Sequence, residues 1–472
     1  MTTIDKLAAF VACMAIASGA PLAAELQLPK ELPPYGADGP VPVPKIDKHT
    51  LSNGMTVWIV ADREGVPKAN FVLAVRGGSA HDPREMNGRS SILAGTLDEG
   101  TRSRSAIHIA QELQSLGATL GAGAGEEGTT VSASGLSANA GKILQLLADV
   151  ARNPTFPDDE VNLAKMNALQ ALKAARARPG YQAGVAFDAA IFGNHPYGTG
   201  ELTEASIMAV TPQALRELHA KRFRPDRALL VVTGRVDSAA ILQLAKDAFG
   251  DWKADGTAEP EIPAAPTAAT PARVFVSRDN SVQSSILVGR PAFAATDRVL
   301  PKADVADTIL GGSFGGRLFQ NLREDKGYTY GANASFGAER NGGYFQASAD
   351  VRSEVTGAAI GEFNKELQRM TDEPVSAAEL VRAQRYLAGI YLYRNQLRGA
   401  VAGTLAGLWI DGRAPEELGL YTEQVKAVTV GDVQDVARRY FDPKDQSLIV
   451  VGDPSIADQL KPYGEFRTVT PR

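Results

Sequence analysis

The chain has 472 residues, 44% of them hydrophobic and 22% charged, with a formal net charge of -5. That composition is ordinary for a globular protein, and the length accommodates two domains of about 200 residues, each able to bury its own core. The negative balance and the lack of any basic run exclude the usual footprint of a nucleic-acid or anionic-membrane binder, since both reward clustered Lys and Arg.

Lys6, the apolar stretch Leu7 to Ala20 and the small residues Ala23 and Ala24 predict a secretory signal over residues 1–24. The apolar stretch falls short of the roughly 18 residues a spanning helix needs, so no membrane span is expected. The one cysteine, Cys13, lies inside it. The mature chain would therefore offer no thiol for a disulfide, for zinc or for nucleophilic attack. An exported chain without cysteine points to the periplasm. Residues 25–44, rich in Pro, Leu and Gly, read as an irregular arm.

A first domain is expected over 45–253. MTVWIV and ANFVLAVRGG read as strands, SAIHIAQELQSLG as a helix ending at Gly117, TTVSASGL as a strand and AGKILQLLADVARNP as a helix. Glu160 to Arg178 predicts a long Ala-rich helix that Pro179-Gly180 stops. Residues 254–272 (ADGTAEPEIPAAPTAATPA) have linker composition. A second domain follows over 273–456, with strands SSILVGR and GGYFQASADV and the long helix AELVRAQRYLAGIYLYR; residues 457–472 read as a tail.

The two parts end alike. VTPQALRELHAKRFRPDRALLVVTG (Val210–Gly234) and VTVGDVQDVARRYFDPKDQSLIVVG (Val428–Gly452) share Val-Thr, a Phe, a Pro and a final Gly at a constant offset of 218. Each predicts a Thr-capped amphipathic helix, a Pro-containing turn and a buried strand. The pattern implies a duplicated α+β fold: two homologous domains, each a mainly antiparallel sheet packed with helices.

The histidines are His49, His81, His108, His195 and His219, and no two stand three or four apart. A local two-His helical zinc site is therefore excluded by spacing alone. His195, in a His-Pro-Tyr-Gly turn, and His81, before Asp82-Pro83, read as structural. So do Asp98 and Glu99, expected as a solvated pair at a helix end.

LSNGMTVWIV, SLGATL, FGNHPYGTG and above all LGGSFGGRLFQNLREDKGYTYGANASF (Leu310–Phe336) resemble the processing-peptidase branch of the pitrilysin/insulinase-type inverted zincins. The likeness covers nearly the whole chain after the signal. Active members carry H-x-x-E-H on a helix and a distal Glu. Here the matching segment is GRSSILAGTLDEGT (Gly88–Thr101), which puts Ser91 and Gly95 at the histidine positions and Ala94 at the general-base position. No acid lies at Ala168 to Leu172, where the distal Glu is expected. The resemblance thus implies no metal in this chain.

It also implies what is retained. The family uses an Arg and a Tyr seven residues apart, which here are Arg323 and Tyr330, with Tyr328 as the rival phenol. An Arg fork can grip a substrate carbonyl, and a Tyr hydroxyl can donate to the oxyanion forming at the scissile carbonyl. Gly311, Gly312, Gly315 and Gly316 fall where related zinc-less subunits place a substrate-handling glycine loop. They are no phosphate loop, because Lys-Ser/Thr and a preceding βαβ unit are missing. The implied assembly is a heterodimer with a zinc-bearing homologous subunit, acting on peptides. The rival expectations are an inert scaffold and a peptide-binding protein of the same fold.

Overall fold

The computed structural model describes residues 44–470 apart from Arg63 and Asp255. The expected signal, and all of the expected arm but Pro44, lie outside the described residues.

The first sheet contains β1 (Asp47–Thr50), β2 (Thr56–Ala61), β3 (Lys68–Arg76), β4 (Thr119–Ala124), β5 (Gly128–Leu136) and β6 (Ala228–Gly234), in the order β1-β2-β6-β3-β5-β4. Only β2 and β6 run parallel in it; the other neighbours are antiparallel. Its helices include α1 (Arg89–Gly95), α2 (Ala106–Leu116), α3 (Ala140–Arg152), α4 (Asp158–Arg176), α5 (Pro179–Phe192) and α6 (Pro212–Arg222). Ser105 caps α2 and Gly117 ends it with φ +58°, the left-handed stop that glycine adopts without strain. Pro179 does more than stop α4. It occupies the first turn of α5, where its missing N–H costs nothing.

The second sheet repeats the plan with β7 (Arg273–Ser277), β8 (Gln283–Ala292), β9 (Thr329–Glu339), β10 (Gly342–Arg352), β11 (Ser447–Gly452) and β12 (Arg467–Val469), in the order β12-β7-β11-β8-β10-β9. Its helices include α7 (Leu300–Leu310), α8 (Thr356–Asp372), α9 (Ala377–Arg394), α10 (Arg398–Ile410) and α11 (Val430–Tyr440). Thr211 and Thr429, paired by the sequence repeat, both cap their helices through side-chain hydrogen bonds. The tail expected after residue 456 contributes β12, which pairs parallel with β7. Residues 256–272 run between the lobes without helix or strand.

The two halves are not separate bodies, because each lends the other a helix. Phe187, Ile191 and Phe192 of α5, a first-half helix, pack against Val274, Leu287, Ile449 and Val451 of the second sheet. Val401, Ala402, Leu405 and Ala406 of α10, a second-half helix, pack against Trp58, Val72, Leu229 and Val231 of the first. This explains the apolar runs LLVV of β6 and LIVV of β11, strands whose residues are buried throughout. Leu230 and Val232 face their own lobe's core while Leu229 and Val231 face the borrowed helix. A strand covered on both faces has no polar alternation to show.

Hairpin turns from the two sheets meet between the lobes. Asn341 Nδ2 donates to Glu127 Oε1 at 2.9 Å, and Tyr197 Oη donates to the same carboxylate. Glu126, Asp188, Glu339 and Asp411 crowd this junction, with Arg340 and Arg413 among them. Burial, reinforced by carboxylate neighbours, pushes Glu126 and Asp411 up to about 7, while burial alone pushes Asp188 up to about 6.

Candidate functional site

The helix that would carry a zinc motif is present, but its ligands are not. α1 is held by Asp82, whose carboxylate accepts from the backbone N–H groups of Gly88 and Ser90, both at 3.1 Å. Arg222 lies beneath, fully buried, bonded to Glu259 through Nε at 2.8 Å and Nη2 at 3.1 Å, and donating to Ser90 Oγ at 2.8 Å. Ile92 and Leu93 anchor the helix in the first core. Ser91 and Gly95, one turn apart, both lie on the exposed side, and the space beyond Gly95 is open. Ala94 is buried. A hydroxyl, a hydrogen and a methyl stand at the positions where the family resemblance expects two imidazoles and a carboxylate, and Leu172, the last residue of the Ala168–Leu172 stretch where it expects a distal acid, is buried in apolar contacts. These residues do not fit zinc. Among the described residues, no cluster of three His, Cys, Asp or Glu side chains is arranged to hold a metal.

Neither His195 nor His81 joins a metal-holding cluster among the described residues. His195 Nε2 lies 3.0 Å from the Pro263 carbonyl, and its Nδ1 accepts from Tyr197 N–H at 3.3 Å. His81 is pushed down chiefly by burial. Asp98 and Glu99 depart from the expected solvated pair. Both are partly buried, and desolvation pushes both carboxyls up, with Glu160 adding to the effect on Glu99.

In the second lobe, α7 leads into the glycine-rich turn. The Asp307 carbonyl accepts from Gly311 N–H at 2.7 Å and Gly312 N–H at 2.8 Å. Its carboxyl accepts from Phe336 N–H at 3.0 Å and, fully enclosed, is held well above the usual range by burial and by Asp304. Close packing accounts for three of the glycines. A Cβ on Gly311 would lie 2.8 Å from Ala334 N, one on Gly312 2.9 Å from Thr308 Cα, and one on Gly316 2.8 Å from Gly311 Cα. Gly315 has only side chains near it, the nearest at 3.9 Å. Beside it Phe314 is 75% exposed, at a hollow of about 190 Å³ bounded by Ile309, Arg382 and Tyr386.

The chain then makes a short helix, Arg317–Phe319, that widens into a π-helical turn over Gln320–Asp325. Such wide turns concentrate at functional positions. Lys326 N–H bonds back to the Asn321 carbonyl, and Gly327, at φ +61°, closes the turn into β9. Asn321 is buried, and its amide donates to Glu362 at 2.8 Å and Glu366 at 2.7 Å, both on α8. Arg323 stands on the outer side of this turn, its guanidinium 4.8 Å from the centre of the Phe319 ring and 3.6 Å from the Glu324 carboxylate.

Tyr328 packs against the second core, whereas Tyr330 is 88% exposed. The reason is a bulge. β9 pairs Ala332 with Ala349 and Thr329 with Val351, so Tyr330 and Gly331 together oppose Asp350. Thr329 Oγ1 fixes the irregularity by accepting from Gly331 N–H at 3.1 Å and lying 2.6 Å from the Asp350 carbonyl. Bulges re-aim side chains in this way. β9 is one edge of its sheet, with β12 at the other, just as β4 and β1 are the edges of the first sheet. The bulge and the wide turn escaped the sequence reading, and their one local sign is the Gly327-Tyr328-Thr329-Tyr330-Gly331 run between helix and strand.

Comparison with known proteins agrees with this anatomy. The insulinase (peptidase family M16) profile matches residues 58–200, and the peptidase M16 inactive-domain profile matches residues 209–387. An uncharacterized zinc protease of Streptomyces coelicolor is 24% identical over 86% of this chain and 89% of its own length. One of Bacillus subtilis is 24% identical over 86% of this chain and 98% of its own. The crystal structure of a peptidase M16 inactive domain from Pseudomonas fluorescens superposes with a TM-score of 0.80 at 23% identity, covering 87% of this chain and 98% of that one. A Helicobacter pylori protease structure gives 0.78 at 19% identity, with 87% and 99% covered.

Proposed function

The chain belongs to the M16 (insulinase) peptidase family as a member without zinc ligands, and from that premise we propose that it is the non-metal half of a two-chain peptidase. The observation that carries the reading is Tyr330. A phenol 88% exposed on a bulged edge strand, seven residues after an outward Arg323, has no packing role in this chain. Such a pair makes sense opposite a reacting group that another polypeptide supplies.

In this reading a zinc-bearing homologous subunit faces the exposed side of β9 and provides metal, base and water. This chain's residues hold the substrate. An extended peptide adds to a free sheet edge through main-chain hydrogen bonds, which give affinity with little sequence preference. The Arg323 fork grips a substrate carbonyl, and the Tyr330 hydroxyl donates to the oxygen on which negative charge develops. The glycine turn beside the Phe314 hollow borders the peptide's path. The N-terminal apolar segment supports work in the periplasm.

Mixing the two subunits tests the proposal. Tyr330→Phe should lower turnover of the complex by roughly 10²–10³ while peptide binding survives, the usual cost of a lost oxyanion donor. A scaffold or a peptide-binding protein would show no loss of turnover attributable to this hydroxyl. Chelator-sensitive peptidase activity from the isolated, zinc-loaded chain would overturn the proposal.

A further inference from the structure

We infer that Phe319 is a positioning residue for Arg323, holding its guanidinium toward the substrate side against the pull of Glu324; the inference rests on the function proposed above. Arg323 has two competing neighbours on its own segment. The Glu324 carboxylate, 3.6 Å from Nε, draws the fork back along the surface. The Phe319 ring, 4.8 Å from the guanidinium carbon, offers its negative face and leaves the N–H edge free to donate outward. An Arg paired with a carboxylate has spent donors that a substrate carbonyl needs, whereas a stacked Arg keeps them.

The ring can act in this way because it is packed in place. Phe319 is 6% exposed, and the Phe314 ring packs against it at 5.2 Å and 80°. The backbone between Phe319 and Arg323 is pinned by the Asn321 amide on Glu362 and Glu366. Those two carboxylates are held in turn by Lys326 and Arg369. Phe314 belongs to the glycine-rich turn, so the same ring pair ties the wall of the peptide's path to the aim of Arg323.

The test uses the two-subunit complex and a peptide substrate. Phe319→Leu keeps apolar volume but removes the ring face. It should lower kcat roughly three- to tenfold, as expected for a partly exposed cation–π contact, with KM and melting temperature little changed. Phe319→Tyr should restore kcat, and adding Glu324→Gln to Phe319→Leu should recover part of the loss by removing the competitor. In an Arg323→Ala background, Phe319→Leu should cost nothing more. An additive loss in that background, or a loss that tracks melting temperature and resists Phe319→Tyr, would mean ordinary core packing and overturn the inference. If Arg323→Ala sharply lowers turnover and Phe319→Leu has no effect, this inference alone falls. If Arg323→Ala itself leaves turnover intact, the proposed function falls and takes the inference with it.

Discussion

Truncating Phe187 should damage the lobe to which it does not belong in sequence. Phe187 lies on α5 of the first half, fully buried against the second sheet. Its ring fits over Gly289 of β8, where a Cβ would lie 2.8 Å away, and meets Tyr344 edge-on at 5.7 Å. In Phe187→Ala the lost transfer energy is about 1.5–3 kcal/mol. A residual cavity of about 80 Å³ adds about 2 kcal/mol. The aromatic pair adds about 1 kcal/mol. The total, about 4.5–6 kcal/mol, lies at and just above the upper end of the range of about 3–5 kcal/mol known for Phe→Ala in cores. Hydrogen exchange mapped by segment locates the damage. Amides of β8 and β11 should exchange roughly 10³–10⁴ times faster, at about 1.4 kcal/mol per tenfold, while β3 and β5 hold their protection. Leu405→Ala in α10 should give the mirror pattern, loosening the first sheet. Acceleration confined to the first lobe in Phe187→Ala would refute the helix exchange.

The junction acids make stability fall as pH rises. Their carboxyls sit above ordinary values, so the fold favours the protonated forms; that contribution is whole in acid and is lost as pH climbs through about 6 to 7. Glu126 alone sets an upper bound of roughly 3 kcal/mol, reduced by its partial contact with solvent. Melting temperature should drop by a few degrees between about pH 5 and 8, and Glu126→Gln with Asp411→Asn should flatten the slope; an unchanged slope counts against the assignment. In the glycine turn, Gly316→Ala should lower the melting temperature because its Cβ meets Gly311 Cα at 2.8 Å, whereas Gly315→Ala should melt like the parent. Equal melting of the two variants would show that the turn relaxes freely.

The duplicated α+β plan was legible because its signals are local. Thr211 and Thr429 cap helices, Gly117 stops one, and LLVV and LIVV are too apolar for a half-exposed strand. The absent metal ligands were legible by type and spacing. What lay hidden was non-local. Nothing in AGTLAGLWI says that its apolar residues cover the first sheet rather than their own, since a helix with small residues all round carries no address. The Pro179-Gly180 pair marked one helix's end and concealed the start of the next. The outward aim of Tyr330 depends on a pairing mismatch with β10, and the wide turn beneath Arg323 depends on a buried amide meeting two carboxylates from another helix.

The crossing helices also set the order of events during synthesis. By Gly234 every strand of the first sheet has been made, yet the cover for Trp58, Val72 and Val231 arrives only with Arg398–Ile410. Until then the nascent chain carries a bare greasy face, open to chaperones and to mispairing with its neighbours. A cut anywhere in 256–272 would leave two fragments clasped through their borrowed helices, so protease nicking of that segment need not release either half.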